Sequence, residues 1–168
     1  MVKRLAYLTL AIAILLMLQT PVFAAPVDEL APDTRIDWTV TTTELEIVDS
    51  EFEVGLLSSG SRAVTYKVVG RNAVGWALWA FYHRVHWEWN STRITSVQRS
   101  SWPEVYAPGW EYMGLIQNTG YYYNNNASYY SFRQGHFRLG AGGWNVQHEY
   151  PWIRFYVHRG GSYSVSGG

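Results

Sequence analysis

The chain has 168 residues, and its 13 basic and 13 acidic side chains give a formal net charge of zero at pH 7. It contains no cysteine, which excludes disulfide bonds and thiol chemistry, so folding must rest on burial of apolar surface. Aromatic residues are abundant, with 9 tryptophans, 13 tyrosines and 6 phenylalanines, and they are the most distinctive part of the composition.

Residues 1–24 have the pattern of a secretory signal peptide. Two basic residues precede an apolar run over 5–18, and small residues suit cleavage after Ala24. The run is too short to span a bilayer comfortably. We therefore expect a secreted protein, extracellular or associated with the cell surface. Because exported animal proteins usually carry disulfides, the lack of cysteine favours a bacterial source.

Charge is distributed unevenly along the rest of the chain. We predict a short flexible lead over residues 25–35 and a single domain over residues 36–168. Residues 36–53 are acidic, whereas the part from Val54 onward carries ten basic side chains against four acidic ones, a difference of +6. The acidic segment alternates in TELEIVDSEFEVG around a turn-like VDS, which favours first strands of a sheet over a pro-segment that is later removed. Both interpretations stay open.

Alternation with a period of two residues dominates the body of the chain. The segments RAVTYKVVG, GWEYMGLIQ and PWIRFYVHR place apolar residues at every second position, and clusters of Gly, Pro, Asn and Ser separate such segments. Short strands joined by frequent turns predict an all-β protein, folded as a single-domain antiparallel β-sandwich or barrel-like fold. Aromatic and apolar residues expected in its core are Trp79, Phe81, Trp87, Trp89, Phe137, Ile153 and Phe155.

The segment AVGWALWAFYHRVHWEWN is apolar enough for a helix, but its aromatic content and alternation favour a strand, with Gly75 as a candidate bulge. A strand would place His83 and His86 on opposite faces, so their H-x-x-H spacing does not form a metal site. His136, His148 and His158 could meet only across strands. We predict no metal and no cofactor.

Three residues at alternate positions, Arg84, His86 and Glu88, are weak candidates for catalysis. On a strand they point to one side, where an imidazole and a carboxylate could transfer protons while the guanidinium holds an anion. The alternative, which we favour, is the polar face of a half-buried strand. The chain lacks a cysteine and a G-x-S-x-G nucleophile motif. Enzymatic activity therefore stays uncertain, and the pattern leans towards a non-catalytic protein.

Aromatic residues in turns or beside polar residues are the candidate ligand-binding residues. Rings in such places stack on the C–H faces of sugars while neighbouring amides bind hydroxyls, although they could also simply cap the ends of a sandwich. In GYYYNNNASYYS the alternation means that Tyr122 faces out if Tyr121 and Tyr123 pack inward. The candidates are Tyr121, Tyr122, Tyr123, Asn124, Asn125, Tyr129, Tyr130, Trp102, Trp110 and Trp144.

Together these features predict a secreted non-catalytic β-domain that binds an extracellular or cell-envelope polysaccharide through exposed Tyr and Trp loops. One alternative is a membrane-active toxin or bacteriocin-like protein whose basic aromatic body meets a membrane surface. A second alternative is a small secreted hydrolase, either a nuclease or a glycan-acting enzyme. We expect no nucleic acid as a binding partner.

Overall fold

The computed structural model describes residues 37–54, 58–141 and 144–168, and every regular element in these ranges is a β-strand. No helix, and hence no apolar helix long enough to cross a membrane, occurs in these ranges. The predicted signal peptide and flexible lead lie outside the described residues. The nine strands are β1 (Thr42–Val54), β2 (Gly60–Arg71), β3 (Ala77–Trp89), β4 (Ile94–Val105), β5 (Trp110–Tyr123), β6 (Ser128–Ala141), β7 (Trp144–Glu149), β8 (Trp152–His158) and β9 (Tyr163–Gly167).

The strands form two antiparallel sheets. The first sheet has the order β1-β2-β3-β4, a meander in which neighbours in sequence pair with one another. The second sheet has the order β5-β6-β8-β9, and β7 pairs with the part of β6 that lies beyond β8. The all-β prediction is confirmed, and the segment that could have formed a helix is strand β3.

An apolar core lies between the two sheets and contains side chains from both. Trp79 of β3 stacks on Phe137 of β6 with ring centroids 4.6 Å apart, and Trp110 of β5 packs edge-on against Trp79. Strands β2 and β8 meet through Tyr66 and Phe155, whose centroids are 5.8 Å apart. The predicted core is confirmed, because all seven residues are buried: Trp79, Phe81, Trp87, Trp89, Phe137, Ile153 and Phe155.

The core also contains a histidine. His83 is 0% exposed, with its Nε2 3.0 Å from the Ser131 hydroxyl and its Nδ1 3.4 Å from the Ile153 carbonyl oxygen. A carbonyl only accepts hydrogen bonds, so this pairing fits a neutral ring with the proton on Nδ1. Burial, reinforced by the positive charge of Arg133, lowers the pKa of His83 to about 3. His86 lies on the opposite, outer face of β3, as the strand prediction required.

A bulge stands where a turn was predicted in β1, and a loop stands where a bulge was predicted at Gly75. The predicted turn-like VDS lies inside β1, where the register with β2 shifts between Ile47 and Asp49, so Val48 is an extra residue in a continuous strand. Gly75 is not a bulge but part of the loop between β2 and β3, with a φ of 85°. The side chain of Asn72 closes that loop by accepting hydrogen bonds from the backbone of Val74 and Trp76.

The acidic residues of β1 bind basic residues of β2 and, across β2, of β3. Arg84 contacts Asp49 at 2.9 Å and Glu51 at 3.1 Å, and Arg71 contacts Glu46 at 2.7 Å. Strand β1 pairs with β2 along its whole length. Removal of the acidic segment from a mature chain stays a prediction, and it would deprive these basic side chains of their partners.

The apolar alternation predicted for β5 breaks down within the strand. The register with β6 shifts between Tyr112 and Gly114 and again between Leu115 and Gln117. Each shift adds one residue, which turns the following side chains to the other face. As a result Trp110 is buried, whereas Ile116 is 50% exposed.

The backbone conformation of the turn between β5 and β6 should make the free energy of unfolding sensitive to substitution there. Asn124, Asn125 and Asn126 all have positive φ angles, of 51°, 53° and 63°. Asparagine tolerates this left-handed region better than alanine, and glycine adopts it freely. We expect Asn125→Ala to lower the free energy of unfolding by about 1 kcal/mol and Asn125→Gly to leave it unchanged within about 0.5 kcal/mol. Urea unfolding of both variants checks this, and equal effects of the two would contradict it.

Candidate binding surface

The outer face of the second sheet, which points away from the core, carries most of the exposed rings of β5, β6 and β8. Strand β8 shows why: Ile153, Phe155 and Val157 are buried, so the alternate residues must point outward. The register of β6 places its own outward residues beside them. We call this surface the aromatic face, defined by Tyr121, Tyr123, Tyr130, Phe132, Trp152 and Tyr156.

A row of tyrosines crosses three adjacent strands on the aromatic face. Tyr121 of β5 stacks on Tyr130 of β6 with centroids 4.9 Å apart, and Tyr130 lies 5.2 Å from Tyr156 of β8. Tyr123 continues the row 6.3 Å from Tyr121. Burial raises the pKa of Tyr130, and the neighbouring Tyr156 adds to this effect. Its hydroxyl therefore stays protonated at neutral pH and can donate a hydrogen bond.

The middle of the aromatic face combines rings with a cation. Phe132 and Trp152 stack with centroids 6.0 Å apart. The guanidinium carbon of Arg154 lies 5.5 Å from the Trp152 ring centroid and 5.6 Å from that of Tyr156. Its Nε donates a hydrogen bond to Ser166 Oγ at 3.1 Å. The arginine is therefore held between two rings and one hydroxyl.

Beyond Trp152, two histidines and a tyrosine extend the outer face towards β7. His136 Nε2 and His148 Nδ1 are 2.8 Å apart, and the Tyr150 ring lies 4.8 Å from that of His136. Burial lowers the pKa of His136, as do the neighbouring His148 and Arg138. Among the residues that the structure describes, no three His, Cys, Asp or Glu side chains are grouped as metal ligands.

The five predicted tyrosines divide between two surfaces. Tyr121, Tyr123 and Tyr130 lie on the aromatic face, whereas Tyr122 and Tyr129 face the other side of the hairpin, with centroids 4.8 Å apart. The predicted alternation holds, but Tyr121 and Tyr123 point outward where the conditional prediction had them inward. Tyr129 is 6% exposed and belongs to the core. The predicted Asn124 and Asn125 form the turn beside Tyr123.

Two of the three predicted tryptophans, Trp102 and Trp110, do not join the aromatic face. Trp102 lies on the outer face of the first sheet, stacked on Tyr82 with centroids 5.0 Å apart. Trp110 is 4% exposed and donates from Nε1 to the Trp38 carbonyl oxygen at 2.8 Å. We expected this ring to be exposed in a turn, but it is buried, because β5 begins at Trp110 and directs the ring into the core. The side chain of Trp144 lies outside the described residues.

Arg84, His86 and Glu88 share the outer face of the first sheet but not one cleft. Arg84 and His86 line a depression of about 160 Å³, whereas Glu88 lines another of about 380 Å³. The Arg84 guanidinium is bound by the carboxylates of Asp49 and Glu51. An anion at this guanidinium would have to displace them.

Sequence reasoning did not select Phe132, Trp152, Arg154 or Tyr156 as site residues. The signal was present, because Trp152, Arg154 and Tyr156 alternate with core residues in PWIRFYVHR. What the sequence does not show is that β8 pairs with β6 although β7 lies between them in the chain.

No family model, curated protein or solved structure matches the chain. The class that the fold and surface define is an all-β protein of two antiparallel sheets, one of which has an aromatic outer face.

Proposed function

We propose that the protein is an exported, non-catalytic β-domain that binds an extracellular or cell-envelope polysaccharide through its aromatic face. The observation that carries this proposal is the tyrosine row across β5, β6 and β8, with centroids 4.9 and 5.2 Å apart. A polysaccharide presents C–H patches beside hydroxyls, and tyrosine offers an apolar ring together with a hydroxyl. The surface is thus a sheet face that begins at the Asn-rich turn, rather than a set of loops.

The rings are fixed before any ligand arrives. Each tyrosine of the row is packed against another ring, yet Tyr121 keeps 51% of its surface exposed. Side chains that are already ordered lose little conformational freedom on binding, which favours affinity. By register, Thr119 stands beside Phe132 and Ser164 beside Tyr156, so hydroxyl groups border the rings.

Export is the second part of the proposal, and it is supported by the signal-peptide pattern of residues 1–24. An exported bacterial domain meets polysaccharide at the cell envelope and outside the cell. The cysteine-free composition suits a bacterial export that folds without disulfides.

The membrane-active and hydrolase alternatives stay predictions with less support. Exposed apolar side chains such as Met113 and Ile116 on β5 would serve a membrane-active protein, but others lie in separate parts of the chain, such as Ile47 on β1 and Val74 in the loop before β3. A hydrolase built on His86 and Glu88 would need the two groups at one substrate, and they line separate depressions.

The proposal predicts that substitutions on the aromatic face weaken polysaccharide binding, whereas substitutions on the outer face of the first sheet do not. We expect Tyr121→Ala and Trp152→Ala each to weaken binding to the retained polysaccharide by about tenfold, because each removes a ring from the contact. Retention on a panel of insoluble glycans, followed by affinity electrophoresis in soluble ones, measures this.

The matched control is Trp102→Ala, which removes an equally large ring from the outer face of the first sheet. It should bind as the wild type does. Retention on no glycan, or an equal loss in Trp102→Ala, would show that the aromatic face is not the binding surface.

A further inference from the structure

Arg154 is the cation at the centre of the aromatic face. It projects from the same side of β8 as Trp152 and Tyr156, and its guanidinium carbon lies 5.5 and 5.6 Å from their ring centroids. The Nε–H group donates a hydrogen bond to Ser166 Oγ at 3.1 Å. One edge of the guanidinium is therefore occupied, and the two terminal nitrogens make no hydrogen bond within the part of the chain that the structure describes.

The lack of an acidic partner distinguishes Arg154 from the other arginines that are fixed on the outer faces. Arg71 and Arg84 are bound by carboxylates of β1. Arg138, on the same sheet as Arg154, is bound by Glu111 at 2.6 Å. No described carboxylate forms an ion pair with Arg154, so the aromatic face carries a positive charge that no described acidic group compensates.

A fixed guanidinium with two free N–H groups side by side matches a planar carboxylate, which it can bind through two parallel hydrogen bonds. Flat rings on either side prevent the side chain from turning away and exclude water from part of the contact. On the basis of the proposed function, we propose that the ligand is an acidic polysaccharide, and that Arg154 binds the carboxylate of one of its sugar residues while the flanking rings contact the neighbouring sugars.

Sulfate and phosphate groups can also accept two parallel hydrogen bonds from a guanidinium. The experiment therefore compares ligands that carry different anionic groups. Wild-type protein is titrated with a polyuronate, with a sulfated glycan, with a neutral glycan and with single-stranded DNA. We expect the strongest binding to the polyuronate, with an affinity that falls as the salt concentration rises. Preferred binding of DNA, or of the neutral glycan, would overturn the inference.

Two substitutions test the residue itself. Arg154→Gln should weaken binding of the polyuronate by about ten- to a hundredfold while changing binding of the neutral glycan less than about twofold, because it removes a charge-assisted hydrogen-bonded pair. Arg154→Lys keeps the charge but loses the planar fork, and should show a smaller loss. The matched control is Arg93→Gln, the same change of net charge in the exposed turn between β3 and β4.

The outcomes separate this inference from the proposed function. If Arg154→Gln and Arg93→Gln weaken polyuronate binding equally, Arg154 is not the recognition residue, although polysaccharide binding stands. If only neutral glycans are retained and Tyr121→Ala reduces that retention, the acidic ligand is wrong and the proposed function is right. If no glycan is retained by the wild type, both fail. Circular dichroism of each variant confirms that the sheets are intact.

Discussion

Replacing Trp79 with alanine is expected to lower the free energy of unfolding by about 3–5 kcal/mol. The ring is fully buried, stacked on Phe137 at 4.6 Å and packed edge-on against Trp110. It thus joins β3 of the first sheet to β5 and β6 of the second. Its removal leaves a cavity between the sheets that the surrounding rings are too rigid to fill. Urea unfolding followed by circular dichroism measures the loss.

Gly70 and Trp76 provide the controls for this prediction. A side chain at Gly70 would collide with the Trp79 ring, so Gly70→Ala should cost about 1–3 kcal/mol in the wild type and much less in Trp79→Ala. Trp76 is an exposed tryptophan in the loop before β3, and Trp76→Ala should cost about 1 kcal/mol or less. Equal losses for Trp76→Ala and Trp79→Ala, or strictly additive losses for the Gly70 pair, would contradict the packing described.

Acid should destabilise the protein through His83. Its pKa in the folded state is about 3, below its ordinary value of 6.5, because the ring is buried and faces Arg133. Between these two values the unfolded chain binds a proton that the folded protein does not, so stability is complete above pH 6.5 and falls as the pH is lowered towards 3. The expected loss from this residue is about 1.4 kcal/mol per pH unit within that window.

The measurement is the free energy of unfolding in urea at several pH values between 7 and 4. His83→Gln keeps groups that can pair with Ser131 and with the Ile153 carbonyl but does not titrate, so its stability should depend less on pH. His86→Gln, on the outer face of the same strand, is the matched control for loss of a histidine. If wild type and His83→Gln lose stability equally on acidification, His83 is not the cause.

The sequence predicted the all-β fold and the core well, because alternation states which residues share a face. In β8 one set of alternate residues is apolar and buried, and the other set contains enough polar groups to assign the core side. In β3 the aromatic density of the alternating segment favoured a strand over a helix, and the structure agrees.

The aromatic face was harder to predict for two physical reasons. Alternation does not tell which face is buried when both faces carry rings, as around Tyr121 and Tyr122. It also fails across a bulge, because one extra residue reverses the faces that follow, as between Trp110 and Ile116. The tyrosine row itself depends on pairing between β6 and β8. These two strands are not adjacent in the sequence, and their pairing leaves no periodic pattern in it.

Each sheet is built from one continuous length of chain, with β1–β4 before the short connection at 106–109 and β5–β9 after it. Most hydrogen-bonded pairings are therefore between strands that follow one another closely, and such local pairings have a low entropy cost of loop closure. Neither half buries its apolar side alone, because the core is one cluster with side chains from both halves, such as Trp79 and Phe137. We therefore expect the two halves to be complementary folding units, each able to pair its strands early but dependent on docking with the other to become stable.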